Sequence, residues 1–448
     1  MENIKIGRRE AITRIGAAIA GIAAAPLLTS DSLAGSSKPS LKPNIVLLIA
    51  DDMGYGDLGC YGAKDISTPN IDRLASEGVR FTQFYTTAPV CAPMRVSMLT
   101  GKYPQRTSLA TNPDSKNPKA GLSPNETLLP EVLKTAGYAT GLIGKWHLGY
   151  APEFRPRKQG FDEYFGFLSG SADYFDHTYR KTEKWMFDND TEADEPGYMT
   201  DLLTNKAVAF IEKHKNRPFF LYVAYSAPHD PQQAPDEWLK RSRRGVYGAM
   251  VENLDHNIGR VLQQLKDSGV EENTLVIFMS DNGADVAAFR NAGSNAPFRG
   301  SKRDVTEGGV RLPFIARWPG HIKAKSEVNE PIISMDIYNT LACVANAKIP
   351  LRAGIDGKNV LGVIQGKAKS PHDYLFFNYG NGLAVRHGKW KLIEIDGKLA
   401  GLYDLETDAS ERNDLSAQQP KIVKDLSDKL IQWKRDVSGG KKFRPVTG

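Results

Sequence analysis

The chain has 448 residues, 41% hydrophobic and 25% charged, an ordinary globular balance with length enough for one large domain and a smaller one. Its formal net charge of +6 suits an anionic small molecule or a polyanionic glycan as well as nucleic acid, so charge alone selects no partner. Three cysteines, at 60, 91 and 343, exclude a disulfide framework and match no zinc-knuckle spacing.

Residues 1–34 differ from the rest. "GRREAITR" is basic, "IGAAIAGIAAAPLL" is a short apolar run, and small residues surround Ala34. That order is expected of an export signal, and the run is too short for a comfortable membrane span. The pair Arg8 and Arg9 hints at the twin-arginine route, although the usual flanking serine and phenylalanine are missing. Residues 35–42 form a polar, Pro-containing linker.

From Asn44 the pattern alternates. "NIVLLIA" is a continuous apolar run, expected of a strand buried on both faces. "STPNIDRLASEG" has Pro69 in the first turn and Gly78 past the end of a helix. "VRFTQFYTT" is a strand, "ETLLPEVLKTAG" a helix and "YATGLIG" a strand running into Lys145. "YMTDLLTNKAVAFIEKHK" has helical spacing, and "PFFLYVAYS" is a strand ending before His229. "GVYGAMVENLDHNIGRVLQQLKDSG" is a long helix and "TLVIFMS" a strand ending at Asp281. This alternation predicts an α/β fold: a large domain over 43–350 with a mostly parallel mixed sheet sandwiched by helices. Over 351–448, "YLFFNYG", "LAVRHG", "KWKLIEI" and "GLYDLE" predict a small antiparallel sheet, closed by the helix "PKIVKDLSDKLIQWKRDV".

Asp51-Asp52, Lys145-Trp146-His147, His229 and Asp281-Asn282 each fall just past the C-terminal end of a predicted strand, the edge where open α/β sheets bind ligands. Asp51, Asp52, Asp281 and Asn282 offer only hard oxygen ligands, which favour Ca2+ or Mg2+ over Zn2+. Each motif alone is also ordinary turn chemistry. Lys145 and His147, two apart in an extended segment, would share one face and could serve one anion. Two imidazoles, His147 and His229, allow one base and one acid. Lys302, in the Gly-rich "RGSKRDVTEGG", could reach the same anion. The basic stretches "RPRK" (155–158) and "KRSRR" (240–244) could grip a polyanion or be solvated faces.

Cys91 opens a predicted helix with Pro93 in its first turn and Gly101 at its stop. A helix N-terminus lowers a thiol pKa and attracts anions. A phosphatase-type thiolate needs five residues between Cys and Arg, and only three separate Cys91 from Arg95.

"CAPMRVSMLTG", followed by "TGKYP" and accompanied by "NIVLLIADDMGYGDLGCYG", "GKWHLG", "SDNGA" and "KRDVTEGG", resembles the type I sulfatases, the formylglycine-dependent branch of the alkaline phosphatase superfamily. The likeness runs from about Asn44 to Leu415; Met94 stands where the family often has serine, while the signature's Cys, Pro and Arg are kept. The resemblance implies that Cys91 becomes formylglycine (3-oxoalanine), through a formylglycine-generating maturation enzyme. Its hydrate attacks sulfur with one hydroxyl and expels sulfate with the other. It further implies one Ca2+ held by Asp51, Asp52, Asp281, Asn282 and the converted Cys91. Arg95 would orient the diol, Lys145 and Lys302 would bind sulfate, His147 would accept the diol proton, and His229 would protonate the leaving alcohol. The expected substrates are sulfated carbohydrates, galactosamine or galactose units slightly favoured, met in the periplasm or outside the cell, with neither nucleic acid nor a stable membrane span involved. Two alternatives share these residues: a phosphoester or phosphonate hydrolase of the same superfamily, and a secreted glycan-binding protein lacking the modification.

Overall fold

The structure is a computed structural model that describes residues 42–288, 293–351 and 354–448. The predicted export signal and nearly all of the linker lie outside the described residues. Among the described residues no helix is long and apolar enough to cross a membrane.

The apolar run of β1 (Asn44–Ala50) is a strand with every residue buried. It sits mid-sheet among β2 (Val79–Tyr85), β3 (Ala139–Gly144), β4 (Glu163–Phe167), β5 (Phe219–Ala224), β6 (Thr274–Ser280) and β7 (Arg311–Arg317). The order is β2-β7-β6-β1-β5-β3-β4, and short strands extend both edges to eleven among the described residues. β1 runs parallel to β6 and to β5, from Asn44↔Thr274 to Ala50↔Ser280 and from Ile45↔Phe220 to Ile49↔Ala224. β3 is likewise parallel to β5 and β4. The sheet is thus mostly parallel, with β7 antiparallel to both β6 and β2.

Period-two alternation divides β1 between two cores. Ile45, Leu47 and Ile49 pack with α2 (Cys91–Thr100), α3 (Leu129–Thr135) and α6 (Asp336–Val344). Val46, Leu48 and Ala50 pack with α1 (Pro69–Ser76), α4 (Met199–His214) and α5 (Gly245–Asp267). Helices therefore cover both faces.

The C-terminal region forms a four-stranded antiparallel meander, β8 (Leu375–Tyr379), β9 (Gly382–His387), β10 (Trp390–Ile395) and β11 (Lys398–Asp404). It is backed by α7 (Pro420–Val437), whose Leu426, Leu430 and Trp433 share its core. Two devices tie it to the large sheet. The first is a strap beyond α7. Val446 is fully buried against Ala88 and Val90, its N–H donates to Asn378 Oδ1 (2.7 Å), and the Thr447 N–H donates to the Ala110 carbonyl (3.3 Å).

The second is a buried ionic cluster. Lys391 Nζ lies 2.8 Å from Glu307 Oε1 and 2.9 Å from Glu411 Oε1, and Glu411 Oε2 accepts the Glu307 N–H at 2.9 Å. Burial would raise the Glu307 carboxyl, but Lys391, Arg311 and Arg386 outweigh it and hold it down at about 2. Glu411 goes the other way, pushed up by burial. Breaking a buried pair by removing one partner costs about 3–5 kcal/mol, so Lys391→Met should lower the denaturation midpoint sharply at pH 7. A depressed carboxyl stabilises above its unfolded value of about 4.5, and that contribution is lost as pH falls toward about 2. The difference between the parent chain and Lys391→Met should therefore narrow across that window. A difference that stays constant in denaturant melts from pH 5 to pH 2 would rule the pair out as its source.

Candidate active site

The parallel strands deliver their C-terminal ends to one place. Asp51 follows β1, Lys145 follows β3, Asp281 follows β6, and His229 lies in the loop after β5. The Asp51 N–H donates to the Ala227 carbonyl at 3.1 Å, the Asp281 N–H to Ala50 at 3.2 Å and the Lys145 N–H to Ala224 at 2.9 Å. Backbone bonds continuing the sheet ladder thus fix these side chains.

Cys91 is the first residue of α2, a helix buried at all ten positions. Its N-cap is Val90, which has no capping side chain; Asn112 Oδ1 instead accepts the Ala92 N–H at 3.3 Å. Gly101 ends the helix at φ 70°, the left-handed stop predicted for it. Cys91 Sγ sits 3.5 Å from Asp51 Oδ1. One turn on, Arg95 donates from Nη2 to Asp281 Oδ2 (2.9 Å) and from Nη1 to the Tyr222 hydroxyl (3.0 Å). Lys145 Nζ is paired with Asp51 Oδ2, and Lys302 Nζ lies 2.7 Å from Asp52 Oδ2. Asn282 Nδ2 donates to Asp52 Oδ1 at 2.7 Å.

The charges are closely balanced. Burial would raise the Cys91 thiol, but Lys145 and Lys302 outweigh it and bring it down to about 6. Burial and the neighbouring Asp51 charge push Asp281 up to about 6. Burial likewise raises Asp51, while Lys302 and His229 hold Asp52 well below the usual carboxylate range against its burial.

The two imidazoles differ in state. Burial, then the Lys145 and Arg95 charges, push His147 far below its ordinary value, so it is neutral; its Nδ1 is buried without a hydrogen-bond partner among the described residues. At His229 burial is outweighed by Asp52, and the ring is raised to about 9. His229 Nδ1 lies 2.7 Å from the Asp230 carbonyl, which only accepts, so Nδ1 carries a proton and Nε2, 3.6 Å from Asp52 Oδ2, faces the site.

The structure corrects one expectation about how Lys145 and His147 are presented. The segment is not extended through both: Gly144 has φ 111° and His147 φ 57°. A left-handed backbone conformation at His147, not alternation, brings its ring in. Its ring leaves no room for a side chain at Gly170, whose Cβ would lie 2.6 Å from His147 Nε2. Sequence reasoning missed Tyr222, Asn112 and Gly170, none of which carries a local motif. Cys60 and Cys343 are free thiols, the first half-buried and the second exposed. Of the basic stretches, Arg157 pairs with Asp190 and Arg155 lies over the Phe187 ring, whereas 240–244 flanks a groove described below.

The site accommodates a hard dication. Ligand atoms of Asp51, Asp52, Cys91 and His229 lie within 4.8 Å of one another, and Asn282 Oδ1 is buried with no hydrogen-bond partner among the described residues. An orphaned carbonyl oxygen beside crowded carboxylates is a donor set for such an ion. With Cys91 at a helix N-terminus ringed by two lysines and an arginine, the arrangement suits an anionic ester.

The comparisons agree. The Sulfatase family profile matches residues 43–347, and that of N-sulphoglucosamine sulphohydrolase, C-terminal, matches 300–436. The N-acetylgalactosamine-6-sulfatase of Rattus norvegicus is 39% identical, over 82% of this chain and 74% of its own. The N-acetylgalactosamine-6-O-sulfatase of Bacteroides thetaiotaomicron is 33% identical, over 87% and 93%. The crystal structure of Ps i-CgsB in complex with k-i-k-neocarrahexaose is similar with a TM-score of 0.85 at 33% identity, over 90% of this chain and 95% of that one. The chain belongs to the type I sulfatase family of the alkaline phosphatase superfamily and is a sulfuric ester hydrolase.

Proposed function

We propose that this sulfatase removes sulfate from carbohydrates, with galactosamine or galactose units preferred, using formylglycine at position 91 and Ca2+ at Asp51, Asp52, Asp281 and Asn282. The observation that supports it is the seat of Cys91 Sγ, 3.5 Å from a carboxylate of a buried acid cluster and lowered by two lysines, in a chain whose relatives include N-acetylgalactosamine-6-sulfatases. Bound there, the cation would draw negative charge from a sulfate ester. Formylglycine would supply two hydroxyls on one carbon, one to attack sulfur and one to drive sulfate out.

The chain's own groups do the rest. Arg95, held by Asp281 and Tyr222, would orient the diol at position 91. Lys145 and Lys302 bring two positive charges to the place where the transition state gathers negative charge. His147, neutral and without a partner at Nδ1 among the described residues, would accept the diol proton as negative charge gathers beside it. His229 presents Nε2 as proton donor to the departing alcohol oxygen. The sequence before residue 35 supports export, so the substrate would be met outside the cytoplasm, and a maturation enzyme would convert Cys91.

The test is release of inorganic sulfate from defined sulfated mono- and disaccharides. Galactosamine and galactose 6-sulfates should outrun glucosamine sulfates, and aryl sulfate should outrun aryl phosphate. Faster aryl phosphate turnover would favour the phosphoester reading. Chelation of the matured enzyme should lower turnover by about 100-fold or more, with Ca2+ restoring it. Full activity in metal-free protein would remove the cation from the scheme.

A further inference from the structure

The basic stretch 240–244 takes no part in the chemistry above. It walls a groove of about 720 Å3 lined by Lys64, Ser67, Trp238, Arg241, Arg243 and His256, among others. Both walls continue active-site loops. The connection from β1 to α1 starts at Asp51 and Asp52 and ends at Thr68. The connection from β5 to α5 passes His229 and ends at Arg244. Arg244 clamps the two together, with Nη1 2.6 Å from Asp57 Oδ1 and Nε 2.8 Å from Asp65 Oδ2. The groove is thus built from the same two loops that carry Asp51, Asp52 and His229.

Carboxylates and cations in the groove are unequally engaged. Asp65 is held by Arg244, and Asp72 accepts the Cys60 N–H at 2.7 Å. Glu252 accepts the Ser67 N–H at 3.1 Å. Asp255 accepts the Asn70 and Ile71 N–H groups at 3.0 and 2.8 Å, capping α1. Lys64, Arg241 and Arg243 are exposed, and among the described residues none has a carboxylate partner. Arg241 lies over the Trp238 ring, 5.3 Å from its centroid, and His256 packs against the same ring at 5.5 Å. Stacking holds the guanidinium plane while leaving its N–H edge free for an oxyanion. An aromatic surface beside unpaired guanidinium groups suits a sugar that carries sulfate.

We propose that this groove is a second subsite for sulfated oligosaccharides, gripping a sulfated unit away from the ester being cleaved. It rests on the carbohydrate reading above, and the test separates the two. The probes are a sulfated galactan hexasaccharide, its desulfated counterpart and an aryl sulfate. In the matured enzyme, R241A/R243A should raise the KM for the hexasaccharide about tenfold while aryl sulfate kinetics stay within about twofold. In Cys91→Ala protein, equilibrium binding of the hexasaccharide should weaken by a similar factor on adding R241A/R243A, and the desulfated chain should not compete. Unchanged hexasaccharide binding in that background, an equal loss on aryl sulfate, or equal binding of the desulfated chain would each overturn the subsite. If the parent enzyme cleaves aryl sulfate but not the hexasaccharide, the carbohydrate reading fails, and the binding arm still decides the groove.

Discussion

Cys91→Ala should leave a folded protein whose sulfatase turnover is about 10,000-fold or more below the parent. The side chain removed is small and sits at a helix start, so the helix and its core contacts survive; the circular dichroism spectrum and melting temperature should change little. Cys91→Ser is the sharper comparison. It keeps an oxygen nucleophile in the Lys145–Lys302 field but offers one hydroxyl on its carbon, not two. It should take up one equivalent of sulfate from substrate and stall, a single burst with no steady state. Intact mass of the Cys91 peptide from active protein should fall below that of the thiol form. Substantial steady turnover by Cys91→Ala, or an active preparation with an unconverted thiol, would end the assignment.

His229→Ala should split substrates by leaving group. The proton on Nε2 is worth most when the departing oxygen is a poor anion, as on a sugar, and little when it is a phenolate. The loss on sugar sulfates should be on the order of 100- to 10,000-fold, and on an activated aryl sulfate within about tenfold. Plotting log kcat against leaving-group pKa should give a steeper slope for the variant. Parallel lines would mean that His229 serves through Asp52, 3.6 Å away, and not as the donor.

Which parts of this architecture are visible in one dimension follows from how each part is built. Strand ends are visible because a buried parallel strand is a solid apolar run, and "NIVLLIA", "PFFLYVAYS" and "TLVIFMS" stop where polar residues begin. The positions of Asp51, Asp281 and His229 past their strands are therefore legible in the pattern. β7 was not recognised: its "RLPFIAR" carries Pro313, which argues against a strand interior. The sheet absorbs it at a register shift between Leu312 and Phe314. His147 was expected on the right loop but by the wrong geometry, because a positive φ leaves no mark in residue spacing. Tyr222 meets Arg95 across 127 residues and Asn112 meets Ala92 across 20, ranges that no periodicity reaches. The role of Cys91 came from a signature and not from elementary chemistry, which left a thiolate open.

The strap formed by Val446 and Thr447 has a bearing on timing. Val90, immediately before the reactive residue, is roofed by a side chain that leaves the ribosome more than 350 positions later. In the folded chain residue 91 is 2% exposed. If Cys91 is converted as proposed, the converting enzyme would meet it before Val446 packs against Val90.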